Sequence, residues 1–199
     1  MALISSHEAR WIALAAISAG ALAWRFAEPL DLRKDRSFEI SEDPGTKVIE
    51  VHYVGGMTRT MLSFEIFGDG RLVCSRGRYP PGKETPREIL FEERLPRSEL
   101  LAIFADLTRS DVLEVDWKVM RERFRPTRYP SNTGGISIIL RLTRYRQRVA
   151  GPSGSIRFQI ADGRLLFSIR EFPEIKELAA VGRLLQRLEN IRKSWPRLR

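Results

Sequence analysis

The 199-residue chain is 43% hydrophobic and 30% charged, a balance that excludes general disorder and leaves room for one compact domain with a real core. Its net charge of +9, from 34 Lys and Arg against 25 Asp and Glu, favours acidic partners or an anionic bilayer without choosing among them. The single cysteine, Cys74, excludes an internal disulfide scaffold and fits a reducing compartment.

In chain order, residues 1–10 form a short N-terminal tail, and the first strong signal is the apolar run 11–27, WIALAAISAGALAWRFA, whose only charge is Arg25. As a helix it spans about 25 Å, just inside the lower limit for crossing a bilayer. Trp11 and Trp24 bracket it as indoles do at headgroup level, and Arg10 and Arg25 have stems long enough to turn their charges outward. Ala15, Ala19 and Ala23 recur every four positions and Ala16 precedes Gly20 by four, so two ridges of small residues let another helix approach closely. These features predict a single-pass anchor in an inner or cytoplasmic membrane. Ala21-Leu22-Ala23 also matches a small-x-small cleavage pattern, which keeps an exported, soluble product as one alternative, and a helix lying at the membrane interface or packed on the domain is the other. Arg10 alone flanks the run on one side, against Arg25, Arg33, Lys34 and Arg36 on the other, so the main domain is expected in the cytoplasm.

Residues 28–45 read as a charged tether closed by the Asp43-Pro44-Gly45 turn signal, and 46–192 as a basic α+β domain. Alternation of Ile49, Val51 and Tyr53 against Val48, Glu50, His52 and Val54 predicts a half-buried strand. A second strand carries Thr60, Leu62, Phe64 and Ile66, and Asp69-Gly70 turns it into a third over 71–75. The Pro- and Gly-rich loop 76–87 follows, then an edge strand over 88–94 guarded by Glu92, Glu93 and Arg94. Pro96 opens a helix with Leu100, Leu101, Phe104 and Leu107 as its apolar stripe. Pro126 and Pro130 exclude one continuous helix over 112–135.

Ile136, Ile138, Leu140 and Leu142 begin another strand, and Ile156, Phe158 and Ile160 the next. A second Asp-Gly turn, Asp162-Gly163, is expected to lead into a strand with Leu165, Phe167 and Ile169. Pro173 starts the last helix, with Ile175, Leu178, Val181, Leu185 and Leu188 on one side, and 193–199 form a basic tail. SFEIFGDGRLVCSR echoes RFQIADGRLLFSIR, and each precedes a Pro-led helix, which suggests a hairpin and a helix twice over. Similar hairpins also arise independently. The expected fold class is therefore α+β: a mostly antiparallel sheet with two helices packed on one face, preceded by the N-terminal hydrophobic helix.

Catalytic chemistry is sparse in the sequence. His7 and His52 have no metal-ligand spacing with Cys74, and the glycines at 134–135 and 151–154 lack the strand-to-helix context and the lysine of a phosphate loop. Glu92 and Glu93 are successive strand residues and point to opposite faces. No catalytic residue, metal, cofactor or small-molecule substrate is implied. The strong signal is electrostatic: between Arg123 and Ala161 there is no acid, whereas Arg123, Arg125, Arg128, Arg141, Arg144, Arg146, Arg148 and Arg157 supply forks for carboxylates or phosphates. Arg144, Arg146 and Arg148 share one face if their strand continues. The expectation is a membrane-anchored accessory or structural subunit that stabilises a larger membrane protein complex, its arginines meeting that complex or anionic lipid. A nucleic-acid-binding basic domain is the alternative, and an enzyme built from dispersed residues is the third reading.

Overall fold

The computed structural model describes residues 37–55, 59–78, 87–128, 134–146 and 154–195, all within one compact unit, Arg36–Arg199. The expected anchor at 11–27 lies outside the described residues, and among these no helix is long and apolar enough to cross a membrane. The domain is α+β, with a mostly antiparallel sheet.

Seven described strands form the sheet: β1 (Ser37–Glu39), β2 (Lys47–Val54), β3 (Thr60–Phe67), β4 (Arg71–Arg78), β5 (Glu88–Arg94), β6 (Gly135–Arg146) and β7 (Gly154–Asp162). The long β6 organises it. Along one edge β6 pairs first with β2, from Gly135 to Leu140, and then with β1, from Arg144 to Arg146; β7 lies on its other edge. The meander β2-β3-β4-β5 continues the sheet to the edge strand β5, as its alternation and turn signals predict. The expected tether is shorter than its charge density suggests, because Phe38 pairs with Tyr145 and Ile40 is buried, so the folded unit includes β1.

One row of cross-strand neighbours shows where the core lies: Phe91, Cys74, Phe64, Val51, Ile138 and Ile160 stand side by side across six strands, all buried. Helices cover this face. α1 (Arg97–Arg109) buries Leu100, Ile103, Phe104 and Leu107, a helical 3-4 spacing, and Phe104 meets Phe38 of β1. Leu101, expected in the stripe, is exposed, and Ile103 takes its place. α4 (Lys176–Ser194) buries Leu178, Val181, Leu185 and Leu188 as read, together with Ala180 and Leu184. Arg183 grips Asp106 with two 2.8 Å bonds and Arg187 bonds Glu99 at 2.8 Å, which clamps α4 to α1. The basic tail begins later than expected: the helix runs to Ser194, and Trp195 stacks on Phe91 at 5.1 Å with its indole nitrogen donating to Glu93.

Two short helices correct the expectation of two helices only. α2 (Trp117–Arg123) starts at Asp116, whose carboxylate accepts the Lys118 and Val119 backbone N–H groups, and Trp117 packs edge-on against Phe158. α3 (Leu165–Glu171) replaces the strand expected after Asp162-Gly163. Both Asp-Gly pairs use the same side-chain turn, Asp69 accepting from Arg71 N and Asp162 from Arg164 N. They part at the glycine. Gly70 takes φ +86°, and its N–H bonds Phe67 O, which reverses the chain into β4; Gly163 has no positive φ, and Arg164 enters the right-handed helical region. Leu165 and Ser168 then bury at helical spacing. The echo between the two segments is thus one of sequence, with a hairpin in the first copy and a strand-to-helix turn in the second.

Candidate functional site

The sheet face away from the helices carries the charged chemistry. Adjacent to the apolar row lies a second one, Val73, Glu65, Glu50, Ile139 and Gln159, and beside it a third, Ser75, Ser63, His52, Ser137 and Ala161. Glu50 and Glu65 stand directly opposite each other and are each only 7% exposed. Like charges so placed repel, and burial adds a desolvation cost, so cations are required. Lys47 supplies one, its Nζ 2.7 Å from Glu65 and 3.6 Å from Glu50; Arg87 bonds Glu65 at 3.0 Å, and Arg141 pairs with Glu50. Beside them His52 Nδ1 lies 3.0 Å from the Ser63 hydroxyl and Nε2 lies 3.7 Å from Glu50. The His52 ring, Arg141 and Lys47 together hold the Glu50 carboxyl at about 2 against the upward push of burial.

A cleft of about 490 Å³ opens over this network, with Glu50, His52, Arg87, Ser137, Gln159 and Asp162 among its polar walls. The chain Ser63-His52-Glu50 resembles a nucleophile, a base and an orienting acid in residue type only. Ser63 is fully buried, so no substrate carbonyl reaches its oxygen, and the hydroxyl serves to fix the ring. Among the described residues no three His, Cys, Asp or Glu side chains group as metal ligands. Cys74 is a core residue whose thiol burial pushes up to about 12, so little thiolate forms at neutral pH.

The sequence-predicted arginines divide into two groups and one position outside the described residues, Arg148. Arg123, Arg125 and Arg128 are exposed at and after the end of α2, where Arg123 lies over the Phe124 ring. Arg141, Arg144, Arg146 and Arg157 share the open face at the β1–β6–β7 corner. A bulge puts them there. Ile138, Leu140 and Leu142 point into the core, and strict alternation would send positions 144 and 146 inward after them. The register slips between Leu142 and Tyr145, so Tyr145 turns inward, Arg144 and Arg146 turn outward, and Tyr145 donates its hydroxyl to Glu114. Arg157 faces Arg141 in register, and Arg144 reaches Glu39 at 3.5 Å.

Sequence reasoning missed the Glu50–Glu65 pair and two of its cations, Lys47 and Arg87, and singled out Arg141 for an outward contact only. Glu50 and Glu65 each interrupt an apolar strand at the outward position, but only pairing register brings them together. The features together define an α+β domain whose sheet is helix-covered on one side and charged on the other. Neither a protein-family model nor a curated protein matches this chain.

Proposed function

We propose that the chain is a membrane-anchored accessory subunit, held by the apolar segment 11–27 to an inner or cytoplasmic membrane. The basic corner of its domain contacts the cytoplasmic face of a larger membrane protein complex or the anionic headgroups around it. The observation that carries this reading is position. Ser37, the first residue of β1, pairs with Arg146, so Arg144 and Arg146 lie where the domain receives the chain from the apolar segment. Residues 28–36 are a nine-residue connection that spans at most about 32 Å when fully extended. Two small-residue ridges, Ala15-Ala19-Ala23 and Ala16-Gly20, suit packing beside another transmembrane helix, and Trp11, Trp24 and Arg25 suit its interfaces. The subunit acts by contact area and charge complementarity, and no substrate is transformed.

Arg144→Gln with Arg146→Gln removes two of the four arginine charges at the corner. Recovery of the full chain with its complex from detergent-solubilised membranes is expected to fall several-fold relative to wild type at low ionic strength, with the difference narrowing at physiological salt as screening weakens the wild-type contact. Equal recovery at both salts removes the corner as a contact, and RNA or DNA co-purifying in place of membrane proteins transfers the assignment to nucleic-acid binding. Intact-mass analysis of membrane-isolated protein checks the anchor: a product beginning at Trp24 shows cleavage and rejects it.

A further inference from the structure

We infer that the basic corner holds a phosphomonoester in the hollow between the β1–β2 loop and the β6–β7 hairpin, clamped by Arg141 and Arg157. The inference deepens the contact reading above by naming the chemistry the corner recognises.

The hollow measures about 240 Å³. Arg141 and Arg157 stand directly opposite each other on neighbouring strands, an arrangement of like charges that costs stability unless an anion sits between them. Arg157 is exposed and has no ion pair or hydrogen bond among the described residues. Arg141 is held from behind: its contacts with Glu50 and with the Lys47 carbonyl both use Nη1. The remaining edge of its fork, Nε and Nη2, has no partner among the described residues, so Glu50 aims the guanidinium without exhausting it.

Hydroxyls complete the cradle from three directions. Thr143 lines it from β6, Ser155 from β7 and Ser41 from the β1–β2 loop; Thr46 also lines it, but its hydroxyl proton is already donated to Asp43. The nearby acid, Asp43, does not line the hollow; its carboxylate accepts the Gly45 N–H and the Thr46 hydroxyl within its own loop. Leu142 and Ile156 contribute apolar wall, and thinning the water there strengthens a charge-assisted bond. Two guanidiniums and several hydroxyls lining one hollow suit a tetrahedral dianion better than a carboxylate, which offers two oxygens in one plane. A monoester carries a charge of about −1.5 to −2 at neutral pH, which matches the two arginines more closely than the single charge of a diester.

The test uses the full chain in discs of phosphatidylcholine, titrated calorimetrically with inorganic phosphate while chloride holds ionic strength constant. One saturable site is expected. Arg157→Gln should weaken it at least tenfold without altering thermal unfolding, Arg157→Lys should fall between, and Arg109→Gln, a remote exposed arginine on α1, should leave it unchanged. Discs that also contain phosphatidic acid distinguish the source: reduced phosphate binding there, and not in discs with phosphatidylglycerol, assigns a lipid monoester. Undiminished phosphate binding in both assigns a soluble phosphomonoester. The proposal is overturned if phosphate does not saturate, if Arg157→Gln binds as wild type does, or if a single-stranded oligonucleotide displaces phosphate at lower concentration than phosphate itself requires. Recovery of the complex by the Arg144→Gln/Arg146→Gln chain is scored separately, so loss of the phosphate site with that dependence intact leaves the contact reading standing.

Discussion

Two adjacent positions on β3, Phe64 and Glu65, sit on opposite faces of one sheet and are almost equally inaccessible to water, yet they are buried by different physics. Phe64 joins an apolar row and meets the rings of Tyr53 and Phe91 edge-on. Glu65 is buried by the side chains that neutralise it, Lys47 and Arg87. The core face is therefore made by area removed from water, whereas the open face is made by compensating charge, which is specific in geometry and weak in net energy. Replacing each should separate the two. Phe64→Ala is expected to cost about 3–5 kcal/mol in denaturant unfolding through a cavity that the flanking strands cannot close. Glu65→Gln takes a carboxylate from Lys47, which keeps Glu50 at 3.6 Å, and from Arg87, but both cations are about one-third or more exposed and water rescreens them, so about 1–2 kcal/mol is expected. Equal costs would mean that the charged face is as indispensable to folding as the core.

The second contrast lies between the two Asp-Gly turns. A methyl at Gly70 would stand 2.4 Å from the Leu95 carbonyl and would sit on a backbone at φ +86°, so Gly70→Ala should cost about 1–3 kcal/mol. Gly163→Ala, without a positive φ, should cost clearly less by the same measurement. Reversal of that order would contradict the different roles assigned to the two glycines.

These turns also show how far the sequence was legible. Alternation and turn residues gave β2 to β5, and the 3-4 stripes gave α1 and α4, because each is a local pattern expressed on a half-buried surface. α3 was misread because Leu165, Leu166, Phe167 and Ile169 satisfy both periods, and the decision rests on the φ of the preceding glycine. β1 was missed because three residues cannot announce a strand; Phe38 and Ile40 gain their role only when β6 is long enough to pair with them. The site was less legible than the fold. The acid-free run located the arginines, but the bulge that turns Arg144 and Arg146 outward is a register event, and the Glu50–Glu65 encounter depends on the pairing of two strands.

Acid probes the open face through Glu50. Glu50 is depressed to about 2 in the folded chain from an ordinary value of 4.5, so its contribution is fully present above about pH 4.5 and is lost as pH falls toward 2. Urea midpoints measured across that window should fall with pH in the wild type, and less steeply in Glu50→Gln, which has no carboxyl to protonate. Parallel slopes would show that the acid response arises elsewhere, for instance at Glu189 on α4 or Asp43, whose carboxyls are also held below the ordinary value by Arg192 and by Thr46.

The smallest expected effect is the most informative about purpose. Arg146 is exposed and has no ion pair among the described residues, while Arg144 pairs with an exposed Glu39 at 3.5 Å. Such surface pairs contribute little to folding, so Arg144→Gln with Arg146→Gln should change stability by no more than about 0.5 kcal/mol. The same pair of changes is expected to reduce recovery of the membrane complex, and this disproportion is what a contact surface should display. Arg141 differs because removing its guanidinium strips Glu50 of a cation in a partly dry setting, so Arg141→Gln should destabilise by more than the double change at 144 and 146 together. Thermal unfolding of the two variants side by side checks this. A larger loss from the outer pair would make the bulged end of β6 part of the folding machinery, and the outward turn of its arginines would then need a structural explanation.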